Sequence, residues 1–100
     1  MTTPEGALKK QFIEELESRG ACCIPVPGGM YGRPGSPDHV VCYKGYFIGL
    51  EGKTYRGVQS EDQKEIEADI KSAGGIYILG KHWNHVWGVL NEIDEKERAR

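Results

Sequence analysis

Two carboxylates and a lysine lie at matching ends of two strand-like segments near the middle of this chain. Asp38 begins the segment DHVVC, and Glu51 and Lys53 end the segment YFIGLEGK. Because side chains alternate between the two faces of a strand, Glu51 and Lys53 point the same way, about 6 to 7 Å apart at roughly 3.3 Å per residue. Whether Asp38 joins them depends on how the two segments pair.

The turn between the segments determines that pairing. Lys44-Gly45 indicates a two-residue β-hairpin loop, which places Val40 opposite Gly49 and Asp38 opposite Glu51. Directly opposed residues share a face, with Cβ atoms about 4.5 to 5.5 Å apart. A four-residue loop keeps this register, whereas a three-residue loop shifts it by one residue. The two-residue loop therefore predicts two carboxylates side by side, with a lysine next along the strand.

Opposed like charges destabilise a hairpin, so this arrangement calls for compensation. A divalent cation between Asp38 and Glu51 supplies it, and Mg²⁺ prefers such oxygen ligands while keeping positions for water and substrate phosphate. Lys53 could then orient or deprotonate a metal-bound water and stabilise charge on a phosphate. The pattern predicts metal-assisted phosphodiester hydrolysis, and Gly49 would let a ligand approach closely. The alternative is a solvated strand end with a weak ion pair.

The elements that must position these residues follow the order α-β-ββ-α-β-α. Apolar residues at helical spacing predict a first helix over 4–19, with Leu8, Phe12 and Leu16 on one stripe. Further helices are predicted over 60–73 and 84–97, and strands over 21–26, 38–42, 46–53 and 76–79. We expect an α/β fold, a small mixed sheet flanked by helices, in one domain spanning residues 1–100.

Composition narrows the function classes. The chain has 100 residues, 38% of them hydrophobic, and a net charge of −2, which argues mildly against a non-specific polyanion binder. Its three cysteines form no CxxC motif, so a thiol nucleophile is not favoured. Apolar runs fall short of the roughly 20 residues that cross a bilayer, so we expect a cytoplasmic protein with no membrane partner.

These residues, in this order, resemble the PD-(D/E)XK nuclease superfamily, and within it the compact VRR-NUC type of phages and bacteria. The resemblance covers about residues 5 to 80. It is carried by Glu5 in the first helix, by Gly35-Ser36-Pro37-Asp38, by Glu51-Gly52-Lys53, by Ser60 with Gln63, and by the later segment GGIYIL.

The resemblance implies a restriction-endonuclease-like core and a DNA endonuclease that depends on Mg²⁺ or Mn²⁺. It suggests branched DNA such as a four-way (Holliday) junction, in a bacterial or phage-infected cytoplasm. It implies that Asp38, Glu51 and the Gly52 carbonyl bind the metal and that Lys53 is the catalytic lysine. The family usually has a larger apolar residue where this chain has Gly52; the loss of that side chain removes packing behind the triplet but leaves the backbone carbonyl available.

Two further assignments implied by the resemblance have structural alternatives. Glu5 would be an accessory acid of the site, but an acid in the first helical turn also suits the helix dipole. Gln63 would face the site, but with Ser60 it also fits a capping box.

Several basic and aromatic residues are candidates for DNA contacts. Tyr31 could stack on a base and Arg33 could grip a phosphate, although their Gly- and Pro-rich loop could equally serve only to turn the chain. Lys44 at the hairpin tip and Arg56 after the Glu51-Gly52-Lys53 triplet are further candidates.

The last predicted helix suggests a homodimer. Val86, Leu90 and Ile93 form one apolar stripe with Trp83 and Trp87 beside it, which is wider than one side of a thin sheet needs. Symmetric cutting of two strands also calls for two related sites. Two alternatives to a junction nuclease stay open: a nicking or restriction-type nuclease on plain duplex, and a catalytically inactive DNA-binding or assembly module.

Overall fold

The computed structural model describes residues 3–27, 32–54 and 57–100. Its elements are α1 (Pro4–Ser18), β1 (Cys22–Pro25), β2 (His39–Tyr43), β3 (Tyr46–Gly52), α2 (Glu61–Ser72), β4 (Ile76–Gly80) and α3 (Trp83–Arg98). The four strands form one sheet in the order β1-β2-β3-β4, antiparallel except for the parallel pair β3 and β4. The predicted order of elements is confirmed, and no end differs from its predicted position by more than one residue.

Local sequence signals explain where the first two helices start. The Thr3 side chain caps α1 by accepting a hydrogen bond from the Gly6 amide at 3.0 Å, and Pro4 occupies the first helical position. Ser60 caps α2 in the same way, with Gln63 as its partner in a capping box.

Helices α1 and α3 cover one face of the sheet and enclose the main core with it. The fully buried side chains of this layer come from both helices and from β2 and β3: Phe12, Leu16, Val41, Ile48, Val86, Leu90 and Ile93. The apolar stripe of α3 is therefore buried within the monomer. Only Trp87 of the residues considered for a dimer contact is exposed, at 44%, so the width of that stripe is no argument for a second copy.

Helix α2 packs on the opposite face, over β3 and β4. A Cβ at Gly49 would lie 2.9 Å from Cδ1 of Ile70, 3.3 Å from Pro37 and 3.4 Å from Tyr77. Gly49 is thus explained by the close approach of α2 and the Pro37 loop, not by room for a ligand as the sequence suggested. Within the described residues, no helix is both long and apolar enough to span a membrane.

The β2–β3 hairpin has the register that the sequence predicts. Lys44 and Gly45 both have positive φ angles, 51° and 85°, as the two-residue hairpin turn requires. Val40 pairs with Gly49 and His39 with Leu50. Continued by one residue, this ladder brings Asp38 opposite Glu51.

Gly35, in the segment before Asp38, lies in close backbone contact with the start of α2. Its φ is +82°, and a Cβ there would lie 2.3 Å from the backbone carbon of Asp62. The chain can pass this close to α2 only without a side chain. The contact keeps the start of α2 next to the segment that leads into Asp38.

We expect Gly35→Ala to destabilise the protein more than Gly45→Ala. Both substitutions incur the penalty of a positive φ, about 1 to 2 kcal/mol, but a Cβ at Gly45 meets nothing within 4 Å. Displacing the Gly35 segment from α2 should add about 1 to 3 kcal/mol. Urea unfolding of both variants measures the difference, and equal losses would show that the contact with α2 is easily relaxed.

Candidate active site

Asp38 and Glu51 are held together by two hydrogen bonds that cross between them. The Asp38 amide donates to Oε2 of Glu51 at 2.9 Å, and the Gly52 amide donates to Oδ2 of Asp38 at 3.0 Å. Each carboxylate therefore accepts a backbone N–H from the neighbourhood of the other. Glu51 is buried, with 3% of its surface exposed, whereas 23% of the Asp38 side chain is open to solvent. Solvent thus reaches the pair from the Asp38 side.

Burial makes the charge of Glu51 costly. Desolvation, followed by the charge of Asp38, raises the pKa of Glu51 above its ordinary value, and the Asp38 amide, Lys53 and Lys9 oppose the shift only in part. A nearby cation would offset both the cost of burying the charge of Glu51 and its repulsion by the second carboxylate. Two oxygen donors with solvent access on one side also fit the few protein ligands that Mg²⁺ usually takes.

Lys53 lies on the same side of β3 as Glu51, as strand alternation predicts. Its Nζ is 3.7 Å from Oε1 of Glu51, and 18% of its side chain is exposed. The Lys53 amide donates to the carbonyl of Gly80 at 3.0 Å, which extends the parallel pairing of β3 and β4 past Gly52. This bond holds the backbone of the triplet against β4.

Gln63 fills both of the roles that the sequence left open. Its side-chain Oε1 accepts from the backbone amide of Ser60 at 2.9 Å, and its backbone amide donates to Oγ of Ser60 at 3.1 Å. These two bonds complete the capping box. Its Nε2 donates to Oε1 of Glu51 at 2.8 Å. One side-chain amide can do both because its oxygen and nitrogen point in different directions. The start of α2 is thereby tied to the buried carboxylate.

Lys9 is the charged residue of the site that the sequence analysis missed. Its Nζ lies 3.0 Å from Oδ2 of Asp38 and 3.7 Å from Oε1 of Glu5. Glu5 is thus linked to the carboxylate pair through Lys9, and its predicted part in the chemistry stays a prediction. The available signal was the spacing of four residues between Glu5 and Lys9, which puts them on one face of α1.

The candidates for DNA contacts fall into two groups. Tyr31 and Arg56 lie outside the described residues. Arg33 forms ion pairs with Asp69 and Glu65 of α2, and Lys44 lies 2.6 Å from Asp94 of α3. Because Lys44 sits at the far end of β3, about 20 Å from Glu51 at roughly 3.3 Å per residue, it could meet only DNA that extends well beyond the site.

No group of three or more His, Cys, Asp or Glu side chains suited to a metal occurs in the part of the chain that the structure describes. The carboxylate donors of the candidate site are Asp38 and Glu51. The histidines near α3 have structural uses, since Nδ1 of His82 accepts from the Asn84 amide and Nδ1 of His85 from the Lys81 amide. The carbonyl of Gly52 as a third metal ligand remains a prediction.

The two roles of Gln63 can be separated by comparing Ser60→Ala with Gln63→Ala. Ser60→Ala removes the cap alone and should cost about 1 kcal/mol. Gln63→Ala keeps the bond from the residue 63 backbone amide to Ser60, but it removes the reciprocal bond from the Ser60 amide and the hydrogen bond to the buried Glu51, and the loss of the latter should add about 1 to 3 kcal/mol. Denaturant unfolding of both variants measures the difference. Equal costs would mean that the bond to Glu51 contributes nothing to stability.

The raised pKa of Glu51 predicts a pH-dependent stability in the metal-free protein. Because the folded state holds this proton to a higher pH than the unfolded chain does, the stabilisation is fully present below the unfolded value of 4.5 and is lost as pH rises through the folded pKa. In EDTA, the urea midpoint of the wild type should therefore fall relative to that of Glu51→Gln as the pH rises from 4.5 upward. A difference that stays constant over this range would contradict the shift.

Comparison with known proteins places the fold. A solved structure described as a VRR_NUC domain superposes with a TM-score of 0.68, covers 94% of both chains and is 21% identical in sequence. No family model matches the chain, and no curated protein matches it. At this identity the likeness concerns the fold alone: the chain shares the α/β fold of that VRR_NUC domain, a small mixed four-stranded sheet with three helices.

Proposed function

We propose that this protein is a DNA endonuclease that hydrolyses phosphodiester bonds with the help of Mg²⁺ or Mn²⁺. The observation that carries the proposal is the pairing of Asp38 with the buried Glu51 across the end of a hairpin, with Lys53 3.7 Å away. The nuclease-type fold supports it, because the paired residues occur where the PD-(D/E)XK pattern expects them.

Asp38 and Glu51 would hold the metal, together with the carbonyl of Gly52. The bound metal would supply Lewis-acid stabilisation of the phosphate and lower the pKa of a water ligand. Gln63 and the Asp38 amide fix the orientation of the Glu51 carboxylate, since each donates to a different oxygen of it. A ligand held in place before the reaction loses no free energy to reorganisation during it.

Lys53 would act on the reacting groups. Its ammonium, partly buried beside Glu51, can donate to a phosphate oxygen as negative charge develops there. The same group could orient the attacking water by hydrogen bonding. Hydrolysis adds water across a P–O bond, so a proton must leave the nucleophile and another must reach the leaving oxygen.

For the substrate we propose branched DNA, such as a four-way junction, cut by a homodimer. The net charge of −2 supports recognition by shape more than by affinity for any duplex. The dimer rests on symmetry, because cutting two strands of a junction calls for two related sites. A nicking nuclease acting on plain duplex would need only one.

The test is cleavage of labelled linear duplex, flap, splayed-arm and four-way-junction DNA with Mg²⁺ or Mn²⁺. We expect cutting that EDTA abolishes and that Lys53→Ala slows by about 10² to 10⁴-fold. The matched control is Lys10→Ala, which removes an exposed lysine of α1 that pairs with Glu14 on the surface.

The substrates that are cut decide between the alternatives. A preference for junctions supports the proposal, whereas equal cutting of linear duplex indicates a nicking or restriction-type nuclease. Binding of DNA without cleavage in either metal would refute the enzyme and leave an inactive binding module.

A further inference from the structure

Lys9 fills the space that Gly52 leaves empty in the Glu51-Gly52-Lys53 triplet. A Cβ at Gly52 would lie 2.9 Å from Cγ of Lys9, 3.6 Å from Cε and 3.8 Å from Cδ. The aliphatic stem of a lysine from α1 thus packs where the triplet would otherwise carry its own side chain. The absence of a side chain at Gly52 therefore makes room for the stem of Lys9.

This packing delivers the ammonium of Lys9 to the carboxylate pair. Nζ lies 3.0 Å from Oδ2 of Asp38, the same oxygen that accepts the Gly52 amide, and 30% of the side chain is exposed. The same ammonium lies 3.7 Å from Oε1 of Glu5, so two carboxylates face it. Lys9 is thus the cationic partner of Asp38 in this structure.

A metal ion held by Asp38 would compete with this ammonium. Mg²⁺ lies about 2.1 Å from its oxygen ligands, so a metal on Asp38 would come within a few ångströms of Nζ and repel it. The stem can stay packed over Gly52 while the terminal ammonium turns away, because a lysine has several rotatable bonds. The displaced ammonium would then be free to contact a negatively charged group of a substrate at the site.

We propose that Lys9 acts as an exchangeable cation: it neutralises Asp38 before the metal arrives and then binds the phosphate of the DNA substrate. The inference rests on the proposed function and adds a second lysine, from α1, to the substrate contacts of the site. It requires that removing the charge of Lys9 has opposite effects on metal binding and on cleavage. A lysine that only anchors α1 to Asp38 has no such signature.

The test compares Lys9→Met with Lys10→Met. Lys9→Met keeps an unbranched apolar stem over Gly52 and removes the charge, and Lys10→Met is its neighbour on the exposed face of α1, with 77% of its side chain open. The affinity for Mn²⁺ without DNA is measured from the free-ion electron paramagnetic resonance signal. Cleavage of the substrate that the wild type cuts is measured in single turnover at saturating Mn²⁺.

We expect Lys9→Met to bind Mn²⁺ about tenfold more tightly, since the repulsion of one positive charge is gone. We expect it to cleave about 10- to 100-fold more slowly, as for the loss of a charge-assisted phosphate contact. Lys10→Met should change neither quantity. Lys9→Arg, which keeps the charge, should return the Mn²⁺ affinity to that of the wild type.

Unchanged or weaker Mn²⁺ binding by Lys9→Met overturns the inference, and so does unchanged cleavage. If Lys9→Met unfolds below the assay temperature, Lys9→Gln takes its place in both measurements. Failure of the proposed function looks different, because the wild type itself would then cut no DNA. Failure of the Lys9 inference alone leaves the wild type active, with a variant that does not bind Mn²⁺ more tightly or does not cleave more slowly.

Discussion

The burial of one carboxylate, Glu51, is the constraint on which the rest of this site depends. A charged group removed from water must be compensated by hydrogen bonds and opposite charges, or it becomes neutral. Each oxygen of Glu51 therefore has a donor, the amide of Asp38 for one and the side chain of Gln63 for the other. Lys53 stands 3.7 Å away. The compensation comes from three separate segments of the chain, which must all arrive at one point.

The fold achieves this convergence through close backbone contacts. Gly35 lets the loop before Asp38 pass against the start of α2, and the capping box sets the side chain of Gln63 at that same helix end. Gly49 allows α2 to pack closely on β3, which brings the helix near enough to the sheet for Gln63 to contact Glu51. Each of these glycines marks a place where a side chain would push α2 away from the carboxylate. The contacts that pack α2 onto the sheet are therefore the same contacts that set the geometry of the site.

Sequence patterns predicted what lies within an element or between neighbours joined by a short turn. Alternation and the Lys44-Gly45 turn were sufficient to place Asp38 opposite Glu51, because a two-residue loop leaves one register. They could not show what α1 contributes, since the distance between elements distant in sequence depends on packing angles that periodicity does not encode. Lys9 was missed for this reason, although the resemblance had drawn attention to Glu5 four residues earlier.

The same limit affected two interpretations. The sequence assigned Gly49 to a ligand, but the space beside it is taken by Ile70, Pro37 and Tyr77. It assigned the apolar width of α3 to a partner copy, but Val86, Leu90 and Ile93 are fully enclosed by the sheet and α1. In both cases the feature was identified correctly, and a tertiary contact within the monomer explains it. Gln63 is the opposite case, because its two candidate explanations hold together.

The local charge balance explains how a chain of net charge −2 could act on a polyanion. At the candidate site the carboxylates of Asp38 and Glu51 are matched by the ammonium groups of Lys9 and Lys53, with Glu5 at the edge. Without a metal, the site offers a phosphodiester little electrostatic attraction. A divalent cation would make the same site positive, and the charge of that ion is not included in a net charge counted from the sequence. In the proposed nuclease, attraction for DNA would then be created by the metal and confined to the place where the bond is cut.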